Sequence, residues 1–236
     1  MNIENIKIEL NKQADPKKAE FLPKFFKAQP GGYGEGDQFI GVKVPVQRKV
    51  AKRFYKTISL SELRILLRDP VHEYRLTALI ILVNKFEKSK TEQERKAIVE
   101  FYLDNISFVN NWDLVDSSAD KILGAYLFDR EKDILYEFAE SESLWKQRVA
   151  IIATFYFIRR EKYEDSLRIA KILLDHEHDL IHKAVGWMLR EVGKRDFERE
   201  FNFLKENYQS MPRVMLRYAI EKFKPDLRKK FLKGLV

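Results

Sequence analysis

Apolar residues recur along most of the chain at spacings of three and four, as at Phe197, Phe201 and Leu204 and at Tyr163, Leu167, Ala170 and Leu174. That period belongs to an amphipathic helix packed on one face. Helix-start signals accompany it. Asp15-Pro16 and Asp69-Pro70 pair an N-cap residue with proline at the first helical position, and Ser59 with Glu62 and Thr91 with Glu94 have the spacing of capping boxes. No long alternating run predicts a strand, so the pattern predicts an all-α chain of about a dozen helices.

Dense apolar segments opened by a basic residue recur at Arg75-Leu-Thr-Ala-Leu, Arg148-Val-Ala-Ile-Ile, Lys183-Ala-Val-Gly-Trp and Arg213-Val-Met-Leu-Arg. Trp112-Asp-Leu-Val-Asp falls between the first two, so the starts step by roughly 35 residues, a length that suits a helical hairpin. One hairpin leaves a face uncovered, and stacking neighbours completes the core and curves the array. The second helices are then expected to line a concave groove, with Arg75, Asp116, Arg148 and Lys183 side by side along it; an irregular helical bundle is the alternative. Pro30-Gly-Gly-Tyr-Gly-Glu-Gly-Asp37 breaks the pattern, since it holds four of the nine glycines and regular helix cannot run through it. It is expected to be a mobile or DNA-facing loop, and it lacks the Gly-Lys-Ser/Thr ending of a P-loop.

At 236 residues and 45% hydrophobic content the chain can bury a core as one elongated domain or two small ones. With no cysteine, disulfides and thiolate metal sites are excluded. The first twenty residues mix Glu, Lys and Asn through the apolar positions and lack the uninterrupted stretch of a secretory signal. The longest apolar-dominated stretch, Val149 to Ile158, falls far short of the ~20 residues that span a bilayer. It reads as a buried helix, and a cytoplasmic location with no membrane association is expected. Lys and Arg outnumber Asp and Glu by 44 to 36, for a net charge of +8. A basic excess in a chain still rich in acids fits a single positive face suited to nucleic acid, although a merely soluble basic protein has the same composition.

Three segments carry candidate chemistry. Trp112 and Asp116 are four apart and share one helix face, where an indole and a carboxylate would flank one pocket; the alternative is a core tryptophan with Asp113 or Asp116 capping the helix. Arg148 opens an apolar run after Leu144-Trp-Lys-Gln, placed either to fork onto a phosphate or to pair with Asp116. In Lys183-Ala-Val-Gly186-Trp187-Met-Leu-Arg190, a mid-helix glycine costs about 1 kcal/mol relative to alanine, which suggests that something approaches it closely. Trp187 is either core or a groove residue. His178 and His182 have the spacing of a helical metal pair, but Asp179 reads as a helix cap that sets His178 outside the helix, so no metal site is expected.

Trp112-Asp-Leu-Val-Asp116, Trp145-Lys-Gln-Arg148 and Ala184-Val-Gly-Trp187-Met-Leu-Arg-Glu191 together resemble the DNA alkylation repair family of HEAT-like-repeat DNA glycosylases, in order, spacing and chain length. The resemblance runs from about Asp15-Pro-Lys-Lys-Ala-Glu20 through Glu191. It implies a right-handed superhelical solenoid of HEAT-like helical hairpins over residues 1–236, a single DNA-binding domain whose concave basic groove holds double-stranded DNA. The family's catalytic carboxylate falls on Asp116, its groove tryptophans on Trp112 and Trp187, and its phosphate-contacting arginine on Arg148. The implied reaction is base excision repair by a monofunctional glycosylase acting as a monomer on cationic N3- or N7-alkylated purines, with no cofactor and without the base having to swing into a deep pocket. Phe25, Lys43, Arg75, Lys183 and Arg190 are the further residues expected at the DNA. Phe25 stands where characterised glycosylases of the family carry a tyrosine, and Lys43 where they carry a groove glutamine. These departures, with the long Gly-rich run, keep open a non-catalytic protein that binds branched or distorted DNA. A third reading is a helical-repeat scaffold for another protein, which would carry an apolar rather than basic groove.

Overall fold

In the computed structural model, which describes residues 2–236, all regular structure is helical, and the backbone's one β feature among the described residues is an isolated parallel bridge between Gln38 and Val71. The chain forms two compact units, the first ending at Ile122 and the second spanning Leu123–Val236. The first contains α1 (Asn2–Asn11), α2 (Pro16–Phe25), α3 (Val44–Phe54), α4 (Leu60–Leu67), α5 (His72–Lys88), α6 (Glu92–Asp104) and α7 (Trp112–Ser118). The second contains α8 (Ala125–Leu127), α9 (Asp133–Glu140), α10 (Leu144–Ala153), α11 (Phe155–Ile158), α12 (Glu164–Ile172), α13 (Asp179–Gly193), α14 (Phe197–Asn207), α15 (Arg213–Ala219) and α16 (Pro225–Lys233). A π-helical turn, Asp120–Gly124, carries the chain from one unit to the next.

The expected caps form where the sequence places them, with two exceptions, Asp69-Pro70 and Asp179, which is the first residue of α13 while His178 caps it. Asp15 accepts from the Lys18 backbone N–H ahead of Pro16, and Ser59/Glu62 and Thr91/Glu94 are complete capping boxes. Asp69-Pro70, in contrast, starts no helix. Asp69 accepts from the Val71 N–H at 2.9 Å, the Gln38 N–H donates to the Pro70 carbonyl, and the His72 N–H donates to the Gln38 carbonyl. The pull of Gln38 holds residues 70–71 extended and delays α5 to His72.

In the first unit α5 is the central helix, packed by α3, α4, α6 and α7, and it is buried from His72 through Val83. In the second, α13 holds the same position against α10, α12, α14 and α15. Side chains such as Leu79, Ile81, Ile151 and Val185 are fully buried, each stabilising the fold by about 1.5 to 3 kcal/mol. The hairpins α4/α5, α9/α10 and α12/α13 pack internally; their second helices pack in turn against α3 and α7 (around α5) in the first unit, and on one another and α15 (α10, α13, α15) in the second. Of the repeated basic residues only Arg213 opens its helix, α15. Arg75, Arg148 and Lys183 lie about one turn inside α5, α10 and α13. The single buried helix expected from Val149 to Ile158 is broken at Thr154, itself buried, between α10 and α11.

Gly186 meets the close approach that its position suggested. A Cβ built there would lie 2.4 Å from the Met215 carbonyl oxygen and 2.6 Å from the Tyr218 Cβ, so it is α15 that comes in. Gly186→Ala gains about 1 kcal/mol of helix propensity but forces α13 and α15 apart, an overpacking cost of about 1 to 3 kcal/mol. The variant is expected to be less stable than wild type in urea; an unchanged or raised midpoint would show that α15 yields without cost.

Candidate active site

Helix α7 is capped by Asn111, whose side chain accepts from the Trp112 N–H at 2.9 Å, and carries Trp112 and Asp116 one turn apart. Both side chains are half-buried. Trp112 lies flat on Phe26, with ring centres 5.4 Å apart and planes inclined by 14°, and meets Phe25 edge-on at 5.9 Å. Phe26 in turn stacks on Phe39 and lies against His72, at 5.3 and 4.6 Å. Phe25 is 50% exposed at the end of this aromatic run, and Lys43 is exposed at the N-cap of α3.

Behind the aromatic run is a buried ion network. His72 is clasped from both sides, with Nδ1 2.9 Å from Asp37 and Nε2 2.8 Å from Asp113. Asp37 also accepts from Arg75 and, at 3.1 Å, from Asn111, while Arg75 donates to Asn110 at 2.9 Å. Burial alone would strip the imidazole of its proton, but the carboxylates of Asp113 and Asp37 outweigh burial and lift its pKa to about 9, so His72 is cationic at neutral pH. Asp37 is likewise buried, which by itself would raise its pKa, yet its bond to His72 and the Arg75 charge hold it below the usual carboxylate range. Beside them Glu73, 2% exposed, accepts from three consecutive backbone N–H groups, those of Ile40, Gly41 and Val42. The chain can present them because Gly41 adopts φ +79°, a conformation that favours glycine.

This network corrects two expectations. Arg75 is 5% exposed and its guanidinium is spent on Asp37 and Asn110, so it is an internal tie rather than a phosphate contact. The Gly-rich run is not mobile at its end, because Asp37 fastens it to α5 and to the start of α7. What the network holds in place is the helix that carries Trp112 and Asp116. Between α2, α3, α5 and α7 it leaves a cavity of about 350 Å³, walled chiefly by apolar groups, with Phe25, Phe39, Leu76 and Trp112 among its lining and Asp113 and Ser117 on the α7 side.

In the second unit, Arg148 is 5% exposed and donates to the Leu180 carbonyl in the first turn of α13. Trp187 is half-buried and rests against Phe155 at 5.6 Å. Lys183 pairs with Asp179 at 2.6 Å, both substantially exposed, and Arg190 pairs with Glu221. The cap of α13 is His178 itself, whose ring nitrogen accepts from the Leu180 N–H at 3.1 Å, with Asp179 the first helical residue. His176 bonds Gln147 at 2.8 Å, and His182 bonds the His176 carbonyl. No cluster of three or more potential metal ligands occurs among the described residues, and no helix among them is long and apolar enough to cross a membrane.

Sequence reasoning missed His72, Asp37, Glu73 and the structural use of Arg75 and Asp113. The signal was weak: His72, Glu73 and Arg75 sit within one turn just ahead of the largely apolar stretch Leu76–Val83, where three ionisable side chains facing a core require partners.

The profile of the family described as DNA alkylation repair enzyme matches residues 6–223. Among solved structures, one described as a predicted DNA alkylation repair enzyme from Enterococcus faecalis is similar with a TM-score of 0.69 at 18% identity, over 90% of this chain and 98% of that one. AlkD2 from Streptococcus mutans is similar with a TM-score of 0.55 at 18% identity, over 89% of this chain and 99% of that one. The smu.31 protein from Streptococcus mutans UA159 gives a TM-score of 0.56 at 18% identity, over 88% of this chain and 98% of that one. These structures share the helical fold with the chain. No protein of curated function matches it significantly.

Proposed function

The chain belongs to the DNA alkylation repair enzyme family, and from that premise we propose that it is a monofunctional DNA glycosylase that hydrolyses the N-glycosidic bond of cationic N3- or N7-alkylated purines in duplex DNA. A purine alkylated on a ring nitrogen already carries positive charge and leaves readily, so the reaction needs no strong general acid. What remains is to stabilise an oxocarbenium-like deoxyribose and to hold a water against it, work that a carboxylate does in glycoside hydrolysis. Asp116 is the group assigned to it. Trp112, one turn away, offers an indole face to the sugar and a cation-π attraction of about 0.5 to 2 kcal/mol.

The observation that carries this reading is the pairing of Trp112 and Asp116 on one helix whose first turn is held by buried ions, which limits reorganisation when charge develops. Helices α5 and α7 in the first unit and α10, α13 and α15 in the second are the proposed DNA-facing elements. Lys43, Lys183 and Arg190 supply positive charge, Lys183 and Arg190 exchanging their present carboxylate partners for phosphate. Trp187 is a proposed sugar contact. Arg148, being buried, is assigned to positioning the first turn of α13 and to a phosphate only through the edge it exposes. No residue in this scheme calls for a metal or an organic cofactor, and one chain suffices.

Purified protein in excess over duplex DNA carrying N3- or N7-methylated purine is expected to release the free methylated base, measured chromatographically, and to bind duplex with an affinity that falls as salt rises. One observation favours a second reading. Phe25 is exposed and has no hydroxyl to offer the lesion, and exposed Lys43 is a plain cation, a pairing that suits a non-catalytic binder of branched or distorted DNA. Salt-sensitive binding to such DNA with release no faster than the uncatalysed background would establish that reading and end the first.

A further inference from the structure

At the end of α5 remote from His72 the first unit holds another cavity, of about 620 Å³, bounded by the C-cap of α3, the start of α4, the last turn of α5 and α6. Lys85, on its α5 side, stands about 20 Å along the helix axis from His72 at 1.5 Å per residue. The cavity shares no lining residue with the cleft beside α7.

Four lysines line it, Lys56, Lys85, Lys88 and Lys90, against one carboxylate, Glu94. None of the four ammonium groups forms an ion pair among the described residues. Glu94 is committed elsewhere: it accepts from the Lys90 and Thr91 backbone N–H groups at 2.7 and 3.3 Å, and the bond from Lys90 above all holds its pKa down. Glu62 acts on Lys85 from α4 without lining the cavity. With Glu62, Glu94 and the roughly half negative charge at the end of α5 all counted against the lysines, an excess of about one and a half positive charges remains. The helix end does not occupy the lysines either, because the Ser89 hydroxyl and N–H donate to the Lys85 and Phe86 carbonyls at 2.9 and 3.2 Å.

Lys85 separates this cluster from ordinary solvated lysines. Lys56, Lys88 and Lys90 are exposed, but Lys85 is half-buried, and burial holds its pKa below the usual lysine range against the pull of Glu62. A half-buried cation with no counter-ion is destabilised until an anion reaches it. The remaining wall, from Tyr55, Leu60, Ala97 and Ile98, is apolar or aromatic and suits a flat organic body. Four point charges within one cavity converge on a compact polyanion such as a phosphate chain, and the volume lies within the roughly 300 to 1,000 Å³ of ligand pockets.

We propose that this cavity binds a phosphorylated nucleotide, its phosphates among the four lysines and its base against the apolar wall. A free nucleoside diphosphate and the 5′-phosphorylated end of a DNA strand present the same chemistry. The site goes beyond the excision reading and stands or falls separately from it.

The test titrates the full chain with adenosine diphosphate (ADP), adenosine and pyrophosphate by isothermal calorimetry. ADP is expected to bind more tightly than adenosine by about tenfold or more, the worth of a charge-assisted hydrogen bond, and more tightly than pyrophosphate, which has no base for the wall. Lys85→Met keeps the apolar stem, removes the charge and should weaken ADP binding about tenfold. Ala97→Glu is the second arm. Ala97 is exposed on α6 and glutamate suits a helix, so the variant should stay as heat-stable as wild type while its carboxylate competes for the lysines and abolishes binding. Displacement of ADP by a trinucleotide with a 5′-phosphate, but not by its 5′-hydroxyl form, assigns the site to strand ends, and ADP retained against both assigns it to free nucleotides; either result supports the site. No binding of ADP, equal affinity for ADP and adenosine, pyrophosphate binding as tightly as ADP, or ADP binding that either variant leaves unchanged would overturn the proposal.

Discussion

Replacing Asp116 with asparagine is expected to lower the rate of base release by about a hundred- to a thousandfold, the loss typical when one preorganised group facing the developing charge is removed, while DNA affinity stays within about threefold. Asparagine keeps the shape and a hydrogen-bonding oxygen and removes only the charge, so the half-buried side chain keeps its packing. The effect should appear in single-turnover rates with enzyme in excess, where binding and chemistry separate. The carboxylates nearby are poor substitutes. Asp113 is committed through Oδ2 to His72, and Asp120 is 2% exposed beside Lys121. If Asp116→Asn and wild type release base at the same rate, the negative charge of residue 116 takes no part in the reaction and the catalytic assignment fails.

What could be read from the sequence was the periodic part. Helix content, the two capping boxes, the roughly 35-residue step and the reason for Gly186 all follow from local rules: a 3.6-residue period, a side chain reaching a nearby N–H, a missing Cβ. The same rules put Trp112 and Asp116 on one face, and the helix places them so. The misses share another cause. Asp69-Pro70 has every local mark of a helix start, yet Gln38, some thirty residues earlier, claims the backbone. Arg75 looked like its counterparts Arg148 and Lys183, but its partner Asp37 lies at the end of a glycine-rich run that composition alone marks as loose. Long-range polar pairing leaves no period in a sequence, and each side chain in it looks like a surface residue until its partner is known.

The largest effect on stability is expected at His72. His72→Leu keeps apolar volume but leaves Asp37 and Asp113, previously separated by a shared cation, buried without it; breaking a buried pair in this way costs about 3 to 5 kcal/mol, a large part of the roughly 5 to 15 kcal/mol that holds a protein folded. The dependence on pH identifies the cause. A group whose pKa is higher in the folded state than its ordinary 6.5, here about 9, contributes stability that is complete below 6.5 and is lost as pH rises through 9. The denaturation midpoint of wild type should therefore fall as pH climbs from neutrality to about 10, and His72→Leu should lack this fall. At the acid end the sign reverses. Asp37, with its pKa held down by His72 and Arg75, contributes stability above its ordinary range that disappears as pH drops through its lowered value, and the variant should be less steep there also. Because Asp37 fastens the Gly-rich run, His72→Leu should also open residues 30–37 to proteolysis before the first unit unfolds. A wild-type midpoint that stays level across the alkaline range, or a variant that follows it in parallel, would mean that the imidazole is neutral in the fold and that the first turn of α7 is held by packing alone.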